Sequence, residues 1–305
     1  MTDTEKQLLK IIADMDGEPS GAYNIRANGA LESRRVTENI DIRTKTDKPG
    51  IDIIIKPGTK NETVHIPVII EASGLTDLVY NDFYIGDGAD VTIMAGCGIH
   101  NCGGEESRHD GIHTFYVGKG ARVKYVERHY GEGDGLGQRN MNPTTVVNID
   151  QDGYMEMETS QIRGIDNTTR VTRGSVKENG TLVIHEKLMT HKKQIAKTDF
   201  SVDLSGEGAS ANVVSRSVAK DESYQEFVSN INGNVACTGH TECDAIIMDN
   251  AHVVASPKLS ANHIDASLIH EAAIGKIAGE QLIKLMTLGL TEQEAEEEII
   301  NGFLK

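Results

Sequence analysis

Five stretches decide the fold: residues 84–94 (YIGDGADVTIM), 116–126 (YVGKGARVKYV), 148–158 (NIDQDGYMEME), 175–185 (SVKENGTLVIH) and 203–214 (DLSGEGASANVV). Each is one phrase, a strand running into a glycine-containing turn from which a second strand leaves. The turn glycines Gly88, Gly120, Gly153, Gly180 and Gly208 recur at roughly 25–33 residues. A repeat of this size signals stacked units, none of which buries its apolar face alone. Strand-only units with glycine corners predict a mainly β chain whose core is a right-handed parallel β-helix, with inward side chains stacked in apolar ladders. A β-sandwich is the competing all-β architecture. Its turn signals recur every ~8–12 residues and its strands pair antiparallel, which the GDG and GKG turns permit.

The composition agrees with repetition. Tryptophan is absent and aromatic residues are 4% of the chain, so the core must rest on Val, Ile, Leu and Ala, while 31 glycines supply corners. A formal net charge of −16 argues against nucleic acid or an anionic membrane surface as partner. No apolar run approaches the ~18 residues of a membrane span. The opening MTDTEKQLLKIIADMDGE is charged throughout, unlike a signal or transit peptide. A cytoplasmic location is therefore expected, where thiols stay reduced, and the four cysteines read as ligands, nucleophiles or buried small residues rather than disulfide partners.

Working outward, residues 4–14 place Leu8, Leu9, Ile11 and Ile12 on one side of a short helix. Residues 17–50 show no clear periodicity, so 1–50 is expected to be an N-terminal helix and an irregular segment. The strand pattern starts at Ile51 (IDIIIKP, then VHIPVIIE), and the β-helix core is expected to span 51–260. Residues 261–305 are expected to form a C-terminal helical segment. Its first helix covers 275–288, with Ile277, Leu282, Leu285 and Met286 on one side and Gly289 as the residue that ends it. Thr291 and Glu294 make a capping box for a second helix, whose stripe is Ala295, Ile299 and Phe303.

Two groups of residues carry metal-binding chemistry. Cys243 lies between Glu242 and Asp244, and two carboxylates disfavour a bare thiolate, so it should react best with a cation present. Its structural alternative is a buried small hydrophobe. His270 and Glu271 are adjacent. On an extended strand they point to opposite faces and cannot share a metal, whereas on a turn or helix start they cooperate. The second group is Cys97, His100, Cys102, His109 and His113, in a glycine-rich setting (GCGIHNCGGEESRHDGIH) that reads as a surface loop without standard zinc spacing. The run 131–137 has no following helix and no GxxxxGK[ST] motif exists, so ATP hydrolysis by this chain is not expected. A nucleophile elbow is also absent.

Four blocks in order, ECDAII (242–247), HEAAIGKIAGEQL (270–282), the L-x-x-x-G-L-T-x-x-E-A pattern of 285–295 and IINGFL (299–304), resemble the SufB/SufD family of iron–sulfur cluster assembly proteins. The chain looks like a short, archaeal- or anaerobe-type member, without the long N-terminal region and the Cys-rich motif of larger ones. The resemblance implies a β-helix scaffold for a transient iron–sulfur cluster, not an enzyme in itself. It also implies a SufC-type ABC ATPase as partner, a sulfur donor and acceptor apoproteins. Cys243 matches the SufB-type cysteine, His270 the histidine supplied by the partner subunit in larger systems, and Glu271 the SufB-type glutamate. One chain carrying all three implies a homodimer. The terminal helices, through Ile277, Leu282, Leu285, Ile299 and Phe303, would dock the ATPase. The alternatives are a β-helix carbohydrate-active enzyme, disfavoured by the lack of Trp and of a repeating carboxylate cluster, and a purely structural β-helix, which has no need of Cys243.

Overall fold

Strands that alternate inward and outward residues can stack in register indefinitely if each coil returns to the same place. A computed structural model, describing residues 2–305, shows this return: successive strands alternate between two ten-stranded sheets, and within the body each pairs in parallel with strands of the coils before and after. Met155, on strand Tyr154–Arg163, lies beside Val123 on one side and Leu182 on the other, offsets of 32 and 27 residues. The result is a β-solenoid of about eight turns. The sandwich alternative fails here, because antiparallel pairing is confined to the N-terminal end.

The corners follow a rule slightly different from the glycine spacing. The left-handed residue of the five turns is Gly88, Gly120, Asp152, Asn179 and Gly208. At two corners a short polar residue that tolerates positive φ takes that role, and the glycine after it, Gly153 or Gly180, is needed for space. A Cβ on Gly153 would meet Ile149 Cγ2 at 2.9 Å, and one on Gly180 would meet Val176 Cγ1 at 2.9 Å.

Inward positions form continuous apolar ladders. One runs Val91, Val123, Met155, Leu182, Ala211 across the first sheet. On the facing sheet Phe83 stacks on Phe115 with ring centroids 4.3 Å apart, and Tyr125 meets Phe115 edge-on at 4.9 Å. A second aromatic pair, Phe200 and Phe227, lies in later coils with ring centroids 5.8 Å apart.

The N-terminal region is more ordered than its lack of periodicity predicts. Helix Asp3–Ala13 begins with a Thr2–Glu5 capping box and buries Leu8, Leu9 and Ile12. It lies so close to the first sheet that a Cβ on Gly96 would meet Ile12 O at 2.4 Å. Residues 22–27 and 30–35 form a hairpin around Asn28–Gly29, both with positive φ, the pair that a tight two-residue turn favours. Strand Ile40–Thr44 pairs with Gly50–Ile55. The expected irregular segment is therefore mostly strand.

The other boundary also moves. Residues 266–275 were expected in the helical segment but form the final strand of the first sheet, because Ala266, Leu268 and His270 continue the inward parity of Cys237, Gly239 and Thr241. Helix Gly279–Thr287 begins only after it, and helix Glu292–Phe303 starts with the Thr291–Glu294 capping box.

Phe115→Ala should lower stability by about 3–5 kcal/mol through lost packing, measured by urea denaturation. Tyr116→Ala, at the outward position next to it, should cost less than about 1 kcal/mol.

Candidate functional site

One inward ladder of the first sheet departs from the apolar rule. Ala95, Glu127, Thr159, Glu186, Ser215, Cys243 and Ala272 occupy the same position in successive coils. Glu127, Thr159, Glu186, Ser215 and Cys243 are all buried. Arg170 crosses from the facing sheet, pairing with Glu127 and lying 3.8 Å from Glu186. Burial pushes the Glu127 carboxyl up, but Arg170 and His129 outweigh it and hold it well below the usual range. Glu186 accepts hydrogen bonds from Ser215 Oγ at 2.7 Å and Thr198 Oγ1 at 2.9 Å. Cys243 follows Ser215 on this ladder. Burial, with added repulsion from Glu186 and Asp244, pushes its thiol up to about 12.

His270 lies on extended strand Ala266–Gly275, which settles how it relates to Glu271. In register it sits opposite Thr241, on the inward face shared with Cys243, and its Nδ1 is buried without a hydrogen-bond partner. Glu271 sits opposite Glu242 and is exposed on the outward face. A single chain therefore brings Cys243 and His270 to one face and separates Glu271 from both. Glu271 instead meets His240 and Glu242, with ligand atoms of all three within 4.8 Å of one another. The two-residue spacing of His240, Glu242 and Asp244 places them on one strand face, a signal that the sequence carried but that gained meaning only with Glu271 in register. Glu242 is pushed up by burial and by hydrogen bonding to Asp244.

The 97–113 group is not a loop. It spans strands Asp90–His100 and Ser107–Val117, and only the residues between them turn. Strand parity splits it. Cys97, His109 and His113 are buried around a small cavity that Glu127 and His129 also line. His109 Nδ1 pairs with Asp77 Oδ2 at 3.0 Å, and His113 Nδ1 bonds Tyr125 Oη at 2.8 Å. Burial, the largest effect, lowers His113 to about 4. His100 and Cys102 lie at the rim, with Sγ 3.0 Å from His100 Nε2 and His100 Nδ1 3.1 Å from Glu132. The five residues thus form two groups, and Glu127 and His129 are the members of the buried group that spacing alone does not reveal.

Of the expected docking residues, Ile277 lies in the connection before the first terminal helix rather than on it, Leu282, Leu285, Ile299 and Phe303 lie on the helices, and all five are half-buried, while Ala295 and Ile300 are fully covered. The exposed apolar side chains are Ile283, Met286 and Leu288. Among the described residues no helix is long and apolar enough to cross a membrane.

Residues 73–303 match the family model for the SufBD core domain of the SUF system for FeS cluster assembly, a span that contains both the 97–113 group and the Cys243 strand. An iron–sulfur cluster assembly SufBD family protein of Methanothermobacter thermautotrophicus is 28% identical over 285 residues, covering 90% of this chain and 67% of the relative. A SufBD family protein of Methanocaldococcus jannaschii is 29% identical, covering 83% of this chain and 79% of the relative. The iron–sulfur cluster assembly protein SufB of Bacillus subtilis is 35% identical over 102 residues, 32% of this chain and 22% of that protein.

Access and ionisation together set thiol reactivity. At pH 8, iodoacetamide should label exposed Cys102 at least about tenfold faster than Cys243, as followed by peptide mass mapping. Because the Cys243 thiol titrates high, its labelling should still be climbing with pH at pH 10. Equal rates at pH 8 would contradict the burial described.

Proposed function

The chain belongs to the SufBD core family of the SUF iron–sulfur cluster assembly system, and on that premise we propose that it is a scaffold holding a nascent cluster through Cys243 and His270. The observation that supports this most directly is the buried, unpartnered Nδ1 of His270 on the same inward face as Cys243. A buried imidazole nitrogen without a partner costs free energy unless something binds it.

Thiolate and imidazole suit iron, and a set with fewer than four thiolates should release its cluster more readily than a four-cysteine site. The high-titrating Cys243 becomes a thiolate only where a cation offsets the burial and the repulsion from Glu186 and Asp244. A coordinating metal supplies that offset, so thiolate formation and iron arrival are coupled. Glu186, fixed by Ser215 and Thr198, is the carboxylate nearest the thiol along the ladder.

The last coil leaves the edges of strands His252–Ala261 and Ala266–Gly275 unpaired. A second copy placed there by a twofold axis would bring two sets of Cys243 and His270 together, which favours a homodimer. Glu271, on the outward face, is left out of that set. The energy source is a SufC-type ABC ATPase docked on the two terminal helices, with sulfur donor and acceptor apoproteins completing a cytoplasmic cycle. In this reading the chain itself is not an enzyme. Family membership displaces the carbohydrate-active and purely structural alternatives.

Cys243→Ser should abolish iron and sulfide uptake in anaerobic reconstitution, with circular dichroism and dimer mass unchanged, while His270→Ala should weaken uptake without removing it. Wild-type uptake by Cys243→Ser would move the cluster elsewhere, with the buried Cys97 group as the next candidate. For the ATPase, a chain truncated after Gly275 should stay folded and lose co-purification with the partner. Ile283→Glu combined with Met286→Glu should have the same effect if the exposed face of the first helix carries the contact, and retained binding in both variants would remove the helices from the interface.

A further inference from the structure

The strand that carries Cys243 inward presents a different donor set outward. We propose that His240, Glu242 and Glu271 form a binding site for a divalent transition-metal ion, ferrous iron in the cell, on the outer face of the last coil. His240 and Glu242 are two residues apart on strand Cys237–Ile247, and Glu271 is the parallel register partner of Glu242 on the next strand. Neighbouring strands lie about 4.8 Å apart. The ladder thus sets the three side chains side by side, with ligand atoms within 4.8 Å of one another.

The group is more than a concentration of acid. Its nitrogen donor is already oriented. His240 donates its Nδ1–H to Asn212 Oδ1 at 2.9 Å, and Asn212 is its register partner on the preceding coil. With Nδ1 engaged there, Nε2 is the nitrogen left to bind a metal, and it lies 3.6 Å from Glu271 Oε2. Metal-binding histidines are characteristically held this way by an outer acceptor. One imidazole and two carboxylates, with no thiolate, suit Fe(II), Mn(II) or Zn(II) rather than a soft ion. Two carboxylates and a neutral imidazole also balance a dication. Arg216, the register partner of Asp244, is a competing cation that acts on Glu242 from the preceding coil.

The position separates this site from the cluster ligands. Side chains on opposite faces of one strand cannot share an ion, so the outer triad holds a free ion while the inner face holds Cys243 and His270. The choice of iron as the cellular ion rests on the assembly reading above, whereas the existence of the cation site does not.

Mn(II) is the discriminating probe, because it prefers carboxylate and imidazole over thiolate. With the full chain under anaerobic conditions, electron paramagnetic resonance and equilibrium dialysis should find one bound Mn(II) per chain, displaced by added Fe(II). His240→Ala and Glu242→Gln should each weaken Mn(II) binding at least tenfold with far-UV circular dichroism unchanged, and Cys243→Ser should leave it at the wild-type level. Wild-type affinity in both His240→Ala and Glu242→Gln would overturn the proposal, as would loss of Mn(II) in Cys243→Ser or no binding by the wild-type chain. Should the wild-type chain form no cluster on addition of iron and sulfide yet still bind Mn(II) through His240, the scaffold reading fails and the outer cation site stands.

Discussion

The parallel register between coils is the constraint on which everything else depends. In each sheet the hydrogen-bonded ladder fixes which residue of one coil lies beside which residue of the next, and the two-residue strand period fixes which face each occupies. Function at a distance in sequence thereby becomes adjacency in space. Cys243 is placed after Ser215 and Glu186 because Ser210 pairs with Thr238 and Thr181 with Ser210, and not because of any contact that Cys243 itself makes. The same rule puts Glu271 beside Glu242 and divides His270 from its own neighbour. A one-residue slip of Ala266–Gly275 against Cys237–Ile247 would exchange His270 and Glu271 between the inner and outer faces.

Within that frame the core is not uniformly apolar, and the polar part is arranged to satisfy itself. Arg170 stands between two carboxylates from different coils, Glu127 and Glu186. Opposite charges keep it ionised against a burial effect that acts the other way. Removing one partner of such a buried pair usually costs about 3–5 kcal/mol, since the other charge stays behind unpaired, while replacing the whole group with packed hydrophobes is often neutral. The polar ladder is thus a poor way to gain stability. Its cost is intelligible if the interior has to present charged and hydroxyl groups near Cys97 at one end and Cys243 at the other.

The period of the chain was legible because strand, corner and strand recur in plain sequence, and so was the capping box at Thr291, which lies within four residues. Gly153 and Gly180 do mark corners, but Asp152 and Asn179 take the left-handed conformation there and the glycines serve clearance. The Asn28–Gly29 turn was present as a hairpin signal within a stretch judged by periodicity, and its flanking strands are too short to show a period. Cys97 and His100 belong to one strand yet differ in parity, so a spacing pattern grouped residues that the pleat then separated. His240 was missed because a ligand set shared between strands is visible only once register is known. Local chemistry was readable from the chain, and cross-coil chemistry was not.

The two ends of the solenoid are treated differently, and the difference bears on assembly. At the N-terminal end the first sheet closes with Ala30–Arg35, whose Glu32, Arg34 and Arg35 line an antiparallel edge, and helix Asp3–Ala13 covers the sheet nearby. Charged side chains on an edge discourage further strand pairing. At the C-terminal end strands His252–Ala261 and Ala266–Gly275 have neighbours on one side only. Their exposed apolar residues include Val254, Ile269 and Ile274, and Ile264 in the connection between them is 95% exposed. Free backbone donors and acceptors beside uncovered aliphatic side chains form a surface that another strand would satisfy. The terminal helices fold against each other and leave Ile283 and Leu288 in solvent, so they do not cover it. The candidate ligands lie in these same last two coils. An end that is chemically equipped and structurally unfinished is better suited to completion by a partner than to independent action, and this favours placing the cluster where two chains meet.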